Sequence, residues 1–204
     1  DICMQNLPVI MCVDRAGIVG QDGETHQGIF DLSFFKLIPN ITIMAPKDFI
    51  ELYMMMDFAV KLKSPVVIRY PRGGEAAQKF ITHKWIENGK SDLLTNGTDV
   101  TIVAIGNQVS KAMELFRRLK DIGISAEVIN ARFLKPFDKF GVIRSASKTK
   151  FVVTIEDNII CGGLGEEVRR VISEKRLNCV KIRNFGYNNQ FIEHGTVSEL
   201  EKKY

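Results

Sequence analysis

Apolar positions along the chain fall into two alternating patterns. Short unbroken apolar runs predict strands at Pro8–Val13, Ile41–Ala45, Val66–Tyr70, Val100–Ile105, Ala126–Asn130, Phe151–Ile155 and Val180–Ile182. Between them the spacing changes to i, i+3, i+4, i+7. This predicts helices over Asp31–Leu37, from Asp48 to about Leu62, over Asn107–Asp121, within Pro136–Ser147, over Gly165–Lys175 and over Ser198–Tyr204. Asp48 with Glu51 resembles a capping box, and Phe49, Leu52, Tyr53, Met56 and Ala59 form the expected apolar face of the helix it opens. Core packing plus a subunit contact is the better reading of the adjoining Met54-Met55-Met56 run than an adaptable binding surface. In the next long helix Val109, Ala112, Met113, Phe116 and Leu119 share a face, Arg117, Arg118 and Lys120 fall in the last turn, and Gly123 closes it. Strands alternating with helices predict an α/β fold with mostly parallel sheets flanked by helices.

The alternation breaks once. Glu75–Asn96 lacks helical periodicity and carries Gly89 before the Asn96-Gly97 turn signal. It reads as a linker with short extended pieces, giving one domain over 1–77, a linker over 78–96 and a second domain over 97–204, with the boundary near Ala77. His83 and Trp85 lie in this linker and read as packing. Asp1–Asn6 reads as the tail of a helix, and a chain that opens at Asp1 without an initiator Met is expected to be a piece of a longer protein.

Composition narrows the class. The chain has 204 residues, 45% apolar and 25% charged, which suits one or two globular domains. Net charge is +4, with 7 Lys and Arg against 9 Asp and Glu over residues 1–75, and the positive excess beyond is scattered. Scattered charge reads as solvated surface and argues against nucleic acid as a partner. No apolar run nears 18 residues, so no membrane span is expected. Cys3, Cys12, Cys161 and Cys179 form no C-x-x-C, and Cys12 sits in a strand predicted to be buried. Free thiols in a reducing cytoplasm are expected rather than disulfides or a metal site.

The candidate chemistry lies in Asp14–Gly28, D-R-A-G-I-V-G-Q-D-G-E-T-H-Q-G, directly after the first predicted strand. Four glycines let its backbone turn tightly and approach a ligand. Among them stand Arg15, Asp22, Glu24, Thr25 and His26. A polar, titratable loop at a strand end is where open α/β sheets place ligand sites. Pro71-Arg72-Gly73-Gly74 ends another strand and puts Arg72 at its carboxyl end. Two further motifs follow strands: Arg132-Phe133-Leu134-Lys135-Pro136, and Glu156-Asp157 before Gly162-Gly163-x-Gly165. The second could hold a phosphate on a helix N-terminus, yet G-G-x-G is not the dinucleotide fingerprint, and a structural role is favoured for both.

The loop Asp14–Gly28 and the strand end Arg69-Tyr70-Pro71-Arg72-Gly73 closely resemble those of the 1-deoxy-D-xylulose-5-phosphate synthase family, in the transketolase superfamily. The resemblance extends over nearly the whole chain and is most specific in the first loop. It implies an incomplete pyrimidine-binding transketolase-like domain followed by a transketolase C-terminal-like domain. It also implies a bacterial cytoplasmic enzyme and a homodimer. The reaction implied is a thiamine-diphosphate- and magnesium-dependent condensation of pyruvate with D-glyceraldehyde 3-phosphate, with loss of carbon dioxide, on the way to isoprenoids, thiamine and pyridoxal. The family's diphosphate grip, a G-D-G motif with a downstream Asn, is not found in the sequence, and its activating glutamate is expected upstream of Asp1. Cofactor-binding and metal residues are therefore expected outside this chain, in an N-terminal part of the same protein, and the chain alone is expected to be inactive.

By the same resemblance Arg15 and Arg72 match substrate-binding positions suited to a phosphate. His26 and Asp22 match catalytic ones. His26 would act on the developing alkoxide as acid, base or orienter, and Asp22 would orient His26 or bond a substrate hydroxyl. Two other readings stand beside this one: a transketolase or 2-oxo-acid dehydrogenase β-subunit relative, and a non-catalytic interaction module.

Overall fold

Each predicted apolar run becomes a strand because it can pair with another buried run, and the strands gather into two sheets. The computed structural model describes residues 1–74, 80 and 83–204. The first sheet contains β1 (Ile10–Val13), β2 (Thr42–Met44), β3 (Val66–Arg69) and β7 (Phe133–Lys135), in the order β1-β3-β2-β7. The second contains β4 (Asp92–Thr95), β5 (Val100–Ala104), β6 (Ala126–Asn130), β8 (Phe151–Ile159) and β9 (Lys181–Tyr187), in the order β4-β6-β5-β8-β9. Pairing is parallel except for β7 against β2 and β4 against β6. The helices are α1 (Asp31–Lys36), α2 (Phe49–Leu62), α3 (Gln108–Asp121), α4 (Lys139–Thr149), α5 (Leu164–Glu174) and α6 (Val197–Lys203).

The two sheets share one core. Ile43, Ala45 and Val67 of the first sheet pack in one cluster with Val103, Ile129 and Leu134 from the second half. Burying each of these Ile, Val and Leu side chains contributes about 1.5–3 kcal/mol, so the seam between the sheets is itself a major source of stability. Strand β7 reinforces it: residues from the second half complete the first sheet. The Lys135 ammonium also donates to the Lys36 and Ile38 carbonyls, at 3.0 and 2.6 Å.

Helix ends follow their sequence signals. The Gly123 N–H reaches the Lys120 carbonyl and the Ile124 N–H the Leu119 carbonyl, which closes α3 as a Schellman motif. Asp1–Leu7 close in the same way, with Asn6 in the left-handed region and the Leu7 N–H on the Ile2 carbonyl.

Several expectations are corrected. Cys12 is exposed and β1 is only partly buried, because β1 is an edge strand paired on one side only among the described residues. The buried face of α2 is Glu51, Met55 and Ala59, while Phe49 and Tyr53 of the expected face are exposed. The helix is turned because Glu51 has partners in the second half, described below. Only half of the capping box forms: Asp48 accepts the Glu51 N–H at 2.7 Å, but the Glu51 carboxylate is occupied elsewhere. Trp85 is not packed but 84% exposed, whereas His83 meets Asp48 at 2.6 Å. Within the expected linker, 92–95 is strand β4 of the second sheet. The expected boundary near Ala77 lies outside the described residues. Strands β8 and β9 run on beyond their apolar cores, to Ile159 and Tyr187. Scattered charge is also not all solvated: Lys47, Arg69 and Arg132 are buried.

Candidate active site

The loop after β1 is pinned at its base. Gly17 and Gly28 exchange backbone hydrogen bonds, both 2.8 Å, and the Ala16 N–H donates to the Tyr70 carbonyl at the end of β3. A Cβ on Gly28 would stand 1.9 Å from the Arg15 carbonyl oxygen, so no other residue closes this loop without moving its backbone. Two short 3-10 turns, Gly20–Asp22 and Glu24–His26, fill the interval. The closure brings the β1 and β3 ends together and with them Arg15 and Arg72.

Asp22 joins the two cations. Its Oδ2 accepts from Arg15 Nε at 3.2 Å and from Arg72 Nη1 in a shorter contact, while Arg15 Nη1 reaches Asp14 at 2.9 Å. The Arg72 guanidinium, and after it that of Arg15, hold the Asp22 carboxyl below its ordinary value. His26 is not part of this cluster. It is exposed, with Nδ1 3.0 Å from Thr25 Oγ1. Asp22 therefore bridges two arginines rather than orienting His26, because its Oδ2 is taken up by Arg15 and Arg72 while the His26 ring meets Thr25.

A cleft of about 300 Å³ opens beside the cluster. Its wall includes Arg72, Lys47, Tyr70, Asn107, Asp157 and Tyr187, so strand ends of both sheets face it. Arg15, Asp22 and His26 are not among its lining residues.

Two buried charge clusters hold the site's frame, and neither was read from the sequence. Arg69, the first arginine of R-Y-P-R-G, is 2% exposed. Its Nε donates to both Asp31 oxygens at 2.9 Å, its Nη1 to Asp157 Oδ1 at 2.5 Å, and its Nη2 to the Gly28 carbonyl at 2.7 Å. It thus fastens the loop's closing residue to α1 and to β8. Burial raises the Asp31 carboxyl despite Arg69, and Asp157 and Asp31 together raise Arg69 against the opposing effect of burial. In the second cluster the fully buried Glu51 accepts from Lys47, Asn130 and Arg132, the last at 2.7 Å. Arg132 also donates to the Trp85 and Lys84 carbonyls. One signal was available: an arginine ending an all-apolar buried strand needs a buried partner.

The glycine-rich turn before α5 serves a carboxylate of the chain itself. Glu156 accepts the Leu164 and Gly165 N–H groups, each at 2.8 Å, so the position a phosphate would take is filled. The structural reading of this motif holds. Burial pushes the Glu156 carboxyl up to about 8, outweighing the two N–H bonds. Folding thus favours its protonated form, and stability falls as pH rises from its ordinary 4.5 through about 8. From pH 6 to 8 the loss is roughly 2 kcal/mol. Urea unfolding at the two pH values checks this, and Glu156→Gln is expected to remove most of the difference.

Two mostly parallel sheets joined through one core, with a glycine-hinged loop at their strand ends, define a transketolase-like α/β protein. The chain belongs to the transketolase family: residues 1–74 match the transketolase pyrimidine-binding domain and 89–204 the transketolase C-terminal domain. It is 44% identical, over its whole length, to 1-deoxy-D-xylulose-5-phosphate synthase of Caldanaerobacter subterraneus subsp. tengcongensis and covers 33% of that protein. It is 46% identical to the synthase of Halothermothrix orenii, covering 100% of this chain and 32% of that one. The chain therefore spans about a third of the length of the curated relatives it matches. Among solved structures, one described as a split gene transketolase, inactive beta4 tetramer, superposes with a TM-score of 0.90 at 33% identity, covering all of this chain and 64% of that one. A transketolase mutant from Pichia stipitis, at 22% identity and a TM-score of 0.73 over 98% of this chain and 28% of that one, shares the fold.

The family uses thiamine diphosphate. A diphosphate with its divalent metal needs carboxylate and carbonyl ligands at fixed geometry. Among the described residues no three His, Cys, Asp or Glu side chains converge in that way. The acids that line the cleft, Asp48, Asp157 and Glu201, already meet Lys47, Arg69 and Lys111. The described residues do not fit that pair. No described helix is long and apolar enough to cross a membrane.

Proposed function

We propose that this chain forms the acceptor-substrate part of a thiamine-diphosphate-dependent transferase that condenses pyruvate with D-glyceraldehyde 3-phosphate, with decarboxylation, to 1-deoxy-D-xylulose 5-phosphate. The observation that carries this reading is the convergence of Arg15 and Arg72 on Asp22 at the ends of β1 and β3. The two guanidiniums share Asp22, with Asp14 on the other side of Arg15, and forked guanidinium donors brought together in this way suit a phosphate monoester. Arg15 and Arg72 bind the triose phosphate, and Asp22 sets the spacing between them. His26, exposed on the next turn, gives its proton to the aldehyde oxygen as the carbon–carbon bond forms. The cofactor and magnesium are held by the part of the enzyme that corresponds to the remaining length of the relatives. The working unit is a cytoplasmic homodimer.

In the complete enzyme Arg15→Ala or Arg72→Ala is expected to raise KM for glyceraldehyde 3-phosphate roughly tenfold to a hundredfold, the worth of one charged hydrogen bond. KM for pyruvate is expected to stay nearly constant. Steady-state kinetics with each substrate varied in turn decides it, and equal effects on both would sink the assignment.

A second reading is favoured by one observation. The superposable structure with a TM-score of 0.90 is described as an inactive β4 tetramer. On this reading the chain alone is a non-catalytic module that gains activity only with a cofactor-binding partner. Product formation by the isolated chain would exclude it.

A further inference from the structure

The loop that carries Arg15, Asp22 and His26 has a second anchor, away from its base. Gln27 precedes the closing Gly28 and is 6% exposed. Its Oε1 accepts the Val19 N–H at 2.8 Å and the Gly20 N–H at 3.4 Å. Its Nε2 donates to the Glu193 carbonyl at 3.2 Å, 166 residues further along the chain. One side-chain amide therefore ties the turn that ends in Asp22 to the C-terminal segment.

That segment is firm enough to act as a support. Ile192 and Leu200 are buried with Ile29 and Ile159, and Phe191 meets Phe30 edge-on at 5.6 Å between ring centres. Thr196 and Glu199 form a capping box at the start of α6. The segment also touches the turn directly. Gly20 has φ +71°, and a Cβ there would lie 2.9 Å from the Gly195 carbonyl oxygen and 3.1 Å from the Val197 nitrogen.

We propose that Gln27 is a positioning residue, which locks the Gly20–Asp22 turn against the Glu193–Val197 segment and so holds Asp22 between the two guanidiniums. The proposal rests on the acceptor-site reading of Arg15, Asp22 and Arg72. The chemistry explains the residue type. Two N–H groups at the start of a 3-10 turn lack partners within it and need an acceptor, while the Glu193 carbonyl needs a donor. A primary amide supplies both. Glutamate lacks the donor, methionine has neither group, and asparagine is one methylene short.

The test uses the 204-residue chain, labelled with 13C and 15N, as wild type, Gln27→Met and Gly20→Ala. The two variants break the contact from opposite ends. In wild type the Asp22 carboxyl titrates below its ordinary value of 3.8. In either variant it is expected to move toward that value, and the Val19 and Gly20 amides to exchange at least tenfold faster, while amides in β5 and β8 keep their protection. A general loss of stability would speed exchange everywhere and is not the expected result. An unmoved Asp22 titration with unchanged Val19 and Gly20 exchange would overturn the positioning role, whatever the melting temperature. In the complete enzyme Gln27→Met is expected to raise KM for glyceraldehyde 3-phosphate several-fold and to leave that for pyruvate alone. If Asp22 moves and this KM does not, the acceptor-site reading fails and the positioning role stands.

Discussion

Replacing Arg69 by Met is expected to lower the unfolding free energy of the chain by about 3–5 kcal/mol, the usual consequence of removing one partner from a buried ion cluster. The side chain fills much of the same space, so a cavity is not the main cause. The loss comes from Asp31 and Asp157, left buried without their cation, while the Gly28 carbonyl keeps the Gly17 N–H and loses only its second donor. Two consequences separate this origin from ordinary packing loss. The variant regains stability as pH falls, because burial already raises the Asp31 carboxyl and its protonated form carries no charge to leave unpaired. Asp157→Asn combined with Arg69→Met costs less than the sum of the two single changes, since they remove the same interaction. Urea unfolding of the four proteins measures both. A loss below about 1 kcal/mol would show that the cluster contributes little beyond filling space.

His26→Ala in the complete enzyme is expected to reduce kcat by about 10²–10⁴-fold, the range of general acid–base contributions. Thiamine diphosphate affinity is expected to be unchanged, because His26 stands on the exposed turn of the loop and not in the cleft wall. Its bond to Thr25 uses one ring nitrogen, and on the proposed function the other is the one that meets substrate. Cofactor titration and single-turnover kinetics on the same preparation separate the two effects. A variant that turns over normally, or one that loses the cofactor, removes His26 from the acceptor chemistry.

The sequence motifs differ in how much of the structure they reveal. R-Y-P-R-G contains two arginines three residues apart with opposite roles. Arg72 is over half exposed and reaches Asp22, whereas Arg69 is sealed among two carboxylates. Nothing within the five residues distinguishes them, because Asp31 and Asp157 lie 38 and 88 residues away. The same holds for Glu51. As a cap it had a local reading, and the structure gives it long-range partners, Asn130 and Arg132. Gly162-Gly163-x-Gly165 was legible as a turn of structural purpose, but not that Glu156 would occupy the helix N-terminus from the preceding strand.

What the sequence determined by itself is what short-range periodicity and glycine placement encode: the strand–helix alternation, the position of the loop at the end of β1, and the arrival of Arg72 at the end of β3. These depend on a few consecutive residues and on backbone sterics. What only the tertiary structure decided is which charges meet. The strand order β1-β3-β2-β7 sets the Asp22 bridge, the separation of His26 from Asp22, the exposure of Cys12 on an edge strand and the joining of both sheets through Arg69 and Glu51. The physical reason is that a buried charge is stable only beside its partner, and that partner is chosen by sheet order and crossover geometry rather than by neighbours in the chain.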